Sequence, residues 1–253
     1  MALLRDQSIS CITDWMSYDS KLSILSEQES TSIEAKSRLA QNELETQIVS
    51  FLLRQSGLGE HAARHIMDQI VVTEPLSRWH ALLTLSLFYV DLASLQNSAL
   101  HRDQARYYEL KADAARGQLF DIGLGVVAFP IPKAPVPSIA FGPGNGTPRF
   151  LRARIRFVDV DGAFGALSSE FLLDMTGGES VQITVDNLPP RVVGWHLYLG
   201  ETSESMVLAT LNPVAAAAVL EITEDMPPIQ TVAMPRDAQS PDRFIRHSTE
   251  IWR

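Results

Sequence analysis

The hydrophobic pattern changes its period near the middle of the chain, and this change most constrains the fold. Up to about residue 123, apolar residues recur every three or four positions, as on one face of an α-helix. From about residue 149, short runs alternate apolar and polar residues, as β-strands do. The proline- and glycine-rich residues between them cannot continue a helix. We therefore predict a helical domain over 1–127, an extended linker over 128–148 and a β domain over 149–225.

Two of the predicted helices are long and carry apolar stripes. The stripe of the first, which ends near Gly57, comprises Ile33, Ala40, Leu44, Ile48, Phe51 and Leu52. The second runs from Trp79 to Leu95, where almost every residue is apolar or small. It is short and contains His80 and Asp91, whereas a membrane span needs about 20 apolar residues, so we expect a central helix packed on all sides.

The last predicted helix separates an apolar seam from a charged face. Its seam consists of Ala105, Tyr108, Ala112, Ala115, Leu119 and Ile122. Its outer face carries the charged residues Arg102, Arg106, Glu109, Lys111, Asp113 and Arg116. Either solvent or a neighbouring subunit could cover such a mixed-charge surface. These six residues are therefore candidates for a subunit interface.

Six short alternating or apolar runs beyond the linker predict a small antiparallel β-sandwich of immunoglobulin or fibronectin type. Trp195 shares a face with Val193, Leu197 and Leu199, so we expect it in the core. Residues 226–253 are predicted to form an extended C-terminal arm whose apolar side chains dock on a partner: Phe244, Ile251 and Trp252. The predicted fold class is thus α+β, with an N-terminal all-α bundle, a sandwich and a tail.

Composition limits the classes of function. The chain carries 30 Asp and Glu against 21 Lys and Arg, a formal charge of −9, which argues against a protein whose main task is to neutralise phosphates or an anionic membrane. The single cysteine, Cys11, excludes an intrachain disulfide. The start of the chain lacks the basic and apolar regions of a signal peptide. We expect a protein without membrane association.

Arginine alternates with apolar residues in the stretch PRFLRARIRF. A strand would place Arg152, Arg154 and Arg156 on one face and apolar residues on the core face. Like charges in a row are unfavourable unless something negative covers them. Three partners for these arginines remain open. The first is a carboxylate of a neighbouring strand or subunit, such as Glu170, Asp174 or Glu179. The second is a DNA phosphate, and the third is solvent, with the aliphatic part of each arginine side chain packed along the sheet.

Residues with catalytic or metal-binding potential are few. His61 and His65 lie one helical turn apart, but Ala62 replaces the glutamate that a zinc-protease helix needs, so we expect helix surface. Asp159 and Asp161 resemble the start of a calcium loop without its later ligands, which indicates a turn. No paired acid and base or nucleophile motif is found. The sequence predicts no catalytic residue, cofactor or metal, and a protein that is not an enzyme.

Two stretches resemble proteins of tailed bacteriophages. The first stretch, ALLTLSLFYVDLASLQNSALHRDQARYYELKADAARGQL, resembles the helical core of head-to-tail connector, or adaptor, proteins. Places similar to those of the connector pattern are occupied by Asp103, by Tyr107 or Tyr108, and by Lys111. The stretch GWHLYLGETSESMVLATLNPVAAAAVLEIT is similar to a β module of phage structural proteins, whose pattern is matched by Gly194, Tyr198, Gly200, Leu211, Asn212 and Pro213. The module's later glycine is replaced here by VAAAAV.

This resemblance implies a structural protein of the virion neck, assembled in the host cytoplasm. Connector proteins form homo-oligomeric rings, commonly twelve-fold, between the portal protein and the tail. Helices build the ring, a terminal arm grips the portal or the next subunit, and DNA passes through the channel during ejection without sequence-specific binding. An alternative is another neck, collar or baseplate protein. A different class would be a soluble module that binds carbohydrate or peptide through the fibronectin-like domain.

Overall fold

The structure, a computed structural model, describes residues 2–6, 8–28, 31–56, 59–144, 147–215, 218–222 and 238–246. Its contacts divide the chain into two compact units. The helical unit comprises the described residues of Gln7–Ala128 and of Pro241–Arg253, and the β unit comprises those of Met1–Asp6 and Phe129–Ser240. Among the described residues, all the helices precede the strands, which agrees with the predicted α+β class.

Six helices form the body of the helical unit. They are α1 (Ile12–Tyr18), α2 (Leu22–Gln28), α3 (Ile33–Ser56), α4 (Glu60–Met67), α5 (Glu74–Gln96) and α6 (Ala99–Ile122). The long helix α5 packs against both α3 and α6. It begins with Pro75 in its first turn, where the missing amide hydrogen has no helical partner to lose. It ends at Asn97, whose φ of 47° is left-handed and stops the helix.

The core of this unit follows the predicted apolar stripes. All six predicted stripe residues of α3 are buried, and so are twelve residues of α5. Phe51 of α3 stacks on Phe120 of α6 with ring centroids 4.3 Å apart, and Trp79 of α5 meets the same ring edge-on. The central position predicted for this helix is found in α5, but packing on all sides is not, because Val90 and Leu95 are exposed. None of the helices within the described ranges is long and apolar enough to cross a membrane.

A small sheet completes the helical unit and joins residues from the middle of the chain to residues near position 244. Strand β1 (Leu124–Val126) pairs antiparallel with β9 (Arg243–Ile245), Leu124 opposite Ile245. On the other side of β1, the amide of Val71 donates to the carbonyl oxygen of Gly125 at 2.9 Å. The segment predicted as an extended C-terminal arm therefore supplies a strand of the same chain at residues 243–245.

The β unit consists of two antiparallel sheets. Its strands are β2 (Ser138–Pro143), β3 (Arg149–Asp159), β4 (Phe171–Met175), β5 (Glu179–Thr184), β6 (Val192–Gly200), β7 (Val207–Leu208) and β8 (Leu220–Ile222). The first sheet has the order β4-β3-β6-β7 and the second has the order β2-β5-β8. Both contribute side chains to one core, which includes Trp195 and Leu197 of β6 and Ile183 of β5. The predicted core position of Trp195 is confirmed, whereas Val193 at the start of β6 is exposed.

The boundaries of the two units differ from the predicted domains. Residues predicted as linker contain β2, and Ile131 and Ala134 are buried in the β core. The side chain of Gln239 also holds this stretch, since it accepts a hydrogen bond from the amide of Ile131 and donates one to the carbonyl oxygen of Phe129. The prolines do exclude a helix here, but they are compatible with the ends of an edge strand.

The first residues of the chain also lie outside their predicted domain. Residues 2–6 group with the β unit, and Ala2, Leu3 and Leu4 are buried. Three apolar residues in a row carry no helical or strand period, so their place depends on contacts with residues more than 120 positions away. No local pattern in the sequence could have indicated it.

Candidate functional site

The charged face predicted on the last helix lies on α6, opposite the seam that packs inside the unit. Five of the six predicted seam residues are buried: Ala105, Tyr108, Ala112, Ala115 and Leu119. Ile122 is 46% exposed, because the helix ends there and Gly123 turns the chain into β1. The charged face therefore points outward, as predicted. Burial of the seam sets this orientation, and the contacts of the charged side chains do not.

A groove of about 530 Å³ runs along α5 and α6, between the charged face and the seam of α6. Its lining includes the apolar side chains of Val90, Ala93 and Ala105 and the polar side chains of Ser94 and Asn97. The other lining residues are three of the predicted interface residues: Arg102, Arg106 and Glu109. Apolar, polar and charged side chains thus meet in one groove, a mixture that is also found in protein–protein contacts.

The six charged residues of α6 fall into two groups by their contacts. Arg102 donates to the side-chain oxygen of Asn97 at 2.9 Å, and Lys111 lies over the ring of Tyr107. Arg116 pairs with Asp113 and donates to the side chain of Gln47.

The two remaining charges line the groove. Within the described part of the chain, Arg106 and Glu109 have neither an ion pair nor a side-chain hydrogen bond. They are exposed, so water can satisfy them in an isolated chain, and an opposite charge on another molecule could replace that water. These two side chains are the strongest candidates for a contact outside the chain.

One apolar side chain that lines the groove is markedly exposed. Val90 of α5 is 48% exposed. Leu100 and Leu110 of α6 are more exposed still, but they do not line the groove, and single exposed apolar residues are common. We define the α5–α6 surface as the groove with the residues that line it.

The three alternating arginines Arg152, Arg154 and Arg156, called the arginine ladder below, lie on β3 of the β unit. They alternate with core residues as predicted. Ala153, Ile155 and Phe157 are fully buried in the core, so the arginines between them point to the other face of the sheet. Because β3 pairs with both β4 and β6, the ladder occupies the middle of that face. Arg152 lies opposite Leu172, and Arg156 lies opposite His196.

Glu170, just before β4, covers the first two arginines of the ladder. Its carboxylate forms ion pairs with Arg152 and Arg154, and the hydroxyl of Ser203 donates to it at 2.7 Å. The Ser203 hydrogen bond is the main cause that lowers the pKa of Glu170, and the two guanidinium groups act in the same direction against the effect of burial. Of the three partners left open by the sequence, a carboxylate of the same chain is present in the structure.

Arg156, the third residue of the ladder, is buried and interacts differently. Its Nε donates to the carbonyl oxygen of Gly165 at 2.9 Å, and its guanidinium lies 4.4 Å from the ring centroid of Phe164. The neighbouring His196 is held by Thr210, whose hydroxyl is 2.9 Å from Nδ1. Burial lowers the pKa of His196, and the positive charge of Arg156 lowers it further, so this histidine is neutral at neutral pH.

The candidates at the end of the chain are only partly described. Phe244 lies in β9 and is 44% exposed, so it remains available on the surface of the helical unit. Ile251 and Trp252 lie outside the described residues. The predicted interface thus consists of separate surfaces on the two units: the α6 face and Phe244 on one, the ladder on the other.

The histidine and aspartate pairs considered for metals lie on a helix surface and in a turn. His61 and His65 are exposed on α4, and the described ranges contain no group of three residues able to hold a metal ion. The carboxylate of Asp159 accepts hydrogen bonds from the amides of Asp161 and Ala163 at 2.9 and 2.8 Å. The predicted turn at these two aspartates is confirmed, because this geometry is that of an Asx-stabilised turn.

A buried polar network in the helical unit was not predicted from the sequence. Nε2 of His80 lies 3.0 Å from the carbonyl oxygen of Ser37, and Nδ1 lies 2.6 Å from the hydroxyl of Ser10. A carbonyl can only accept, so Nε2 carries the proton and Nδ1 accepts from Ser10. The indole of Trp15 in turn donates to the Ser10 oxygen at 2.7 Å. His80 is fully buried, which makes this arrangement a structural link and not a nucleophile open to substrate.

The residues on which the resemblance to a phage β module rests lie on β6 and after β7: Gly194, Tyr198 and Gly200 on β6, and Leu211, Asn212 and Pro213 after β7. A side chain at Gly194 would place its Cβ 2.6 Å from the carbonyl oxygen of Val214, and one at Gly200 would place it 2.7 Å from the amide of Met206. Both glycines are therefore required for close backbone approach. No protein-family model, curated protein or solved structure matches the chain significantly.

Proposed function

We propose that the chain is a structural virion protein, a head-to-tail adaptor that forms a ring between the portal protein and the tail of a phage. The observation that supports this most directly is the α5–α6 surface, a groove of mixed apolar and polar lining in which Arg106 and Glu109 have no partner among the described residues. A surface of this kind fits a heterologous contact, in which each subunit meets a different surface of the next and the ring closes.

The ring body would be built from the helical unit. Its long helices α3, α5 and α6 pack closely on each other, so they can carry a contact without rearranging. The excess of acidic residues suits a channel for DNA, because a negative lumen repels phosphates and lets the duplex slide. The portal protein and the tail are the partners in this proposal, with Phe244 and the residues after it as the arm.

The β unit would be an addition to the minimal adaptor. Its four-stranded and three-stranded antiparallel sheets around one core agree with a sandwich of immunoglobulin or fibronectin type. In this proposal the unit meets a tail or neck protein. Glu170 already neutralises part of the charge of the arginine ladder. The ladder is therefore better suited to stabilising the sheet than to binding DNA.

A second candidate function is a peptide-binding module, and exposed aromatic residues on the β unit favour it. Phe150 of β3 is 50% exposed, Phe164 is 37% exposed, and Leu172 lies on the same face of the sheet as Phe150. Phenylalanine and leucine offer apolar surface without hydrogen-bonding groups, which suits an apolar peptide better than a carbohydrate.

The decisive experiment is native mass spectrometry of the purified chain, alone and mixed with the portal protein of the same phage, over a series of salt concentrations. We expect a ring of defined stoichiometry that forms on the portal and weakens as salt screens the charges of the groove. The variant Arg106→Glu should lose most of this ring, because a like charge would face its partner carboxylate.

The control is Arg64→Glu on α4, which reverses another exposed arginine whose only described ion pair is with Glu60. This variant should assemble like the wild type. A chain that stays monomeric or dimeric with the portal present would contradict the adaptor proposal. Peptide binding that Phe150→Ala abolishes would then support the second candidate.

A further inference from the structure

Strand β2 is an edge strand with an open side. It pairs with β5 on one side, and among the described residues no strand pairs with its other side. Proteins usually protect such edges with charged side chains, because unpaired amide and carbonyl groups can bind another strand. Residues 134–144 contain no charged residue. The open side of β2 is therefore unprotected by charge.

The direction of the peptide groups on the open side follows from one hydrogen bond. The amide of Gly144, one residue after β2, donates to the carbonyl oxygen of Gly178 at 2.9 Å, on the side of β5. Peptide groups of successive residues in a strand point to opposite sides. The groups of Ser138, Ala140 and Gly142 therefore face β5, and those of Ile139 and Phe141 face outward.

The apolar core is also incomplete at this edge. Ile139 packs against the core of the β unit, and Phe141, two residues later, lies on the same face of the strand. Phe141 is nevertheless 51% exposed, because no described strand lies beyond β2 to cover its ring. An added strand would satisfy the outward peptide groups and would cover this side chain.

The sequence of the edge is complementary to itself in antiparallel orientation. Pro137 and Pro143 have no amide hydrogen and flank five residues centred on Ala140, so ladder donors exist only at Ile139 and Phe141. If two copies pair around Ala140, Ile139 of each lies opposite Phe141 of the other, and the two residues exchange both hydrogen bonds. A β-branched residue opposite an aromatic one is a favourable cross-strand pair.

Other registers fit less well. A shift of two residues in either direction places a proline opposite Ile139 or Phe141 and leaves one of their carbonyl groups without a donor. Pro137 is also buried, which confines the pairing to residues 138–142. In the centred register, Ala140 faces Ala140 of the second copy in a pair without hydrogen bonds, where the backbones approach most closely and a small side chain fits.

We propose that β2 is a strand-pairing surface for a second copy of this chain, with two β2 strands antiparallel around Ala140 and their sheets continuous across a two-fold axis. Such a contact is isologous and closes on itself, so it builds a dimer and no ring. It goes beyond the proposed adaptor function and does not depend on it. Assembly on the portal uses other surfaces in that proposal, so either idea can fail without the other.

Disulfide crosslinking tests the register directly. In a Cys11→Ser background, which removes the exposed native thiol, Ala140→Cys should crosslink two chains under mild oxidation. The two Cα atoms of such a pair are about 4.5 Å apart, within the span of a disulfide. The matched control is Ser138→Cys, which lies opposite Gly142 and about 13 Å from its own counterpart, so it should crosslink far more slowly.

Sedimentation over a concentration series tests the surface without cysteines. Phe141→Lys places like charges at the edge and should weaken dimerisation about tenfold or more. Phe150→Lys, at an equally exposed phenylalanine away from the open edge of β2, should leave dimerisation unchanged. The proposal is overturned if the wild type stays monomeric at all concentrations, if both cysteine variants crosslink at the same rate, or if Phe141→Lys dimerises like the wild type.

Discussion

His80 shows how one side chain can join three segments that are distant in the sequence. It lies on α5 and bonds to Ser10, before α1, and to Ser37 in α3. Burial lowers the pKa of His80 to about 4, more than the hydrogen bond to Ser37 raises it. The folded protein therefore keeps this ring neutral over a pH range in which an exposed histidine binds a proton.

A pH-dependent stability follows from this pKa. Below pH 6.5 the unfolded chain binds a proton at His80, whereas the folded chain does so only below about 4. The free energy of unfolding should therefore fall as the pH is lowered from about 6.5 to 4, by about 3 kcal/mol in total. Urea denaturation followed by far-UV circular dichroism, which the helices dominate, measures this slope.

Two variants separate His80 from the other titrating groups. His80→Gln removes the titration and should flatten the slope in this pH range, even if it lowers stability at neutral pH through lost hydrogen bonds. His61→Gln changes an exposed histidine of α4 and should leave the slope intact. An unchanged slope in His80→Gln would refute the assignment of the pH dependence to this residue.

Helix α6 shows which features of a helix follow from its local sequence and which follow from packing. Its seam orients the helix, and Ser98 caps its first turn by accepting from the amide of His101. Gly117 interrupts the helix interior, and a Cβ added there would meet no atom within 4 Å. This glycine lowers helix propensity without any described packing reason.

Replacing Gly117 with alanine should therefore stabilise the helical unit. We expect the free energy of unfolding to rise by about 0.5–1 kcal/mol, because alanine loses less backbone entropy on folding into the helix. The contrasting variant is Gly123→Ala, which should destabilise by about 1 kcal/mol or more. Gly123 has a φ of +109°, and a Cβ there would lie 2.9 Å from the side chain of Arg246. Urea denaturation of both variants decides the sign.

The two units of the whole molecule are interleaved along the chain. The first residues belong to the β unit, the helical unit follows, and Pro241 returns the chain to the helical unit after the β unit. Asp242 reinforces this return, since its carboxylate accepts from the amide of Ala128 at 2.7 Å. The helical unit therefore depends on residues at the far end of the sequence.

Two truncations test this dependence. A chain that ends at Ser240 loses β9 and leaves one side of β1 unpaired, so the helical unit should lose about 2 to 4 kcal/mol of stability. A chain that ends at Arg246 keeps β9 and should unfold like the full-length protein in thermal denaturation. It should lose portal binding only if Ile251 and Trp252 form the arm contact. Equal stability of both truncations would contradict a structural role for β9.

The sequence by itself determined the elements and the faces they bury. The periods of three to four and of two residues predicted α3, α5 and α6, the alternation of β3 and the core position of Trp195, because side-chain direction repeats with the geometry of each element. It also predicted the outward direction of the arginine ladder, which the burial of Ala153 and Ile155 bears out.

Only the tertiary structure decided which distant segments meet. The pairing of β1 with β9, the placing of residues 2–6 in the β unit and the link between Ser10 and His80 involve separations of 70 residues or more. The structure likewise selected Glu170 among the carboxylates that could cover the ladder, and it revealed that proline-rich residues contain an edge strand. Local periodicity carries no information on such contacts, because many pairings satisfy the same pattern and the packing of the whole chain chooses among them.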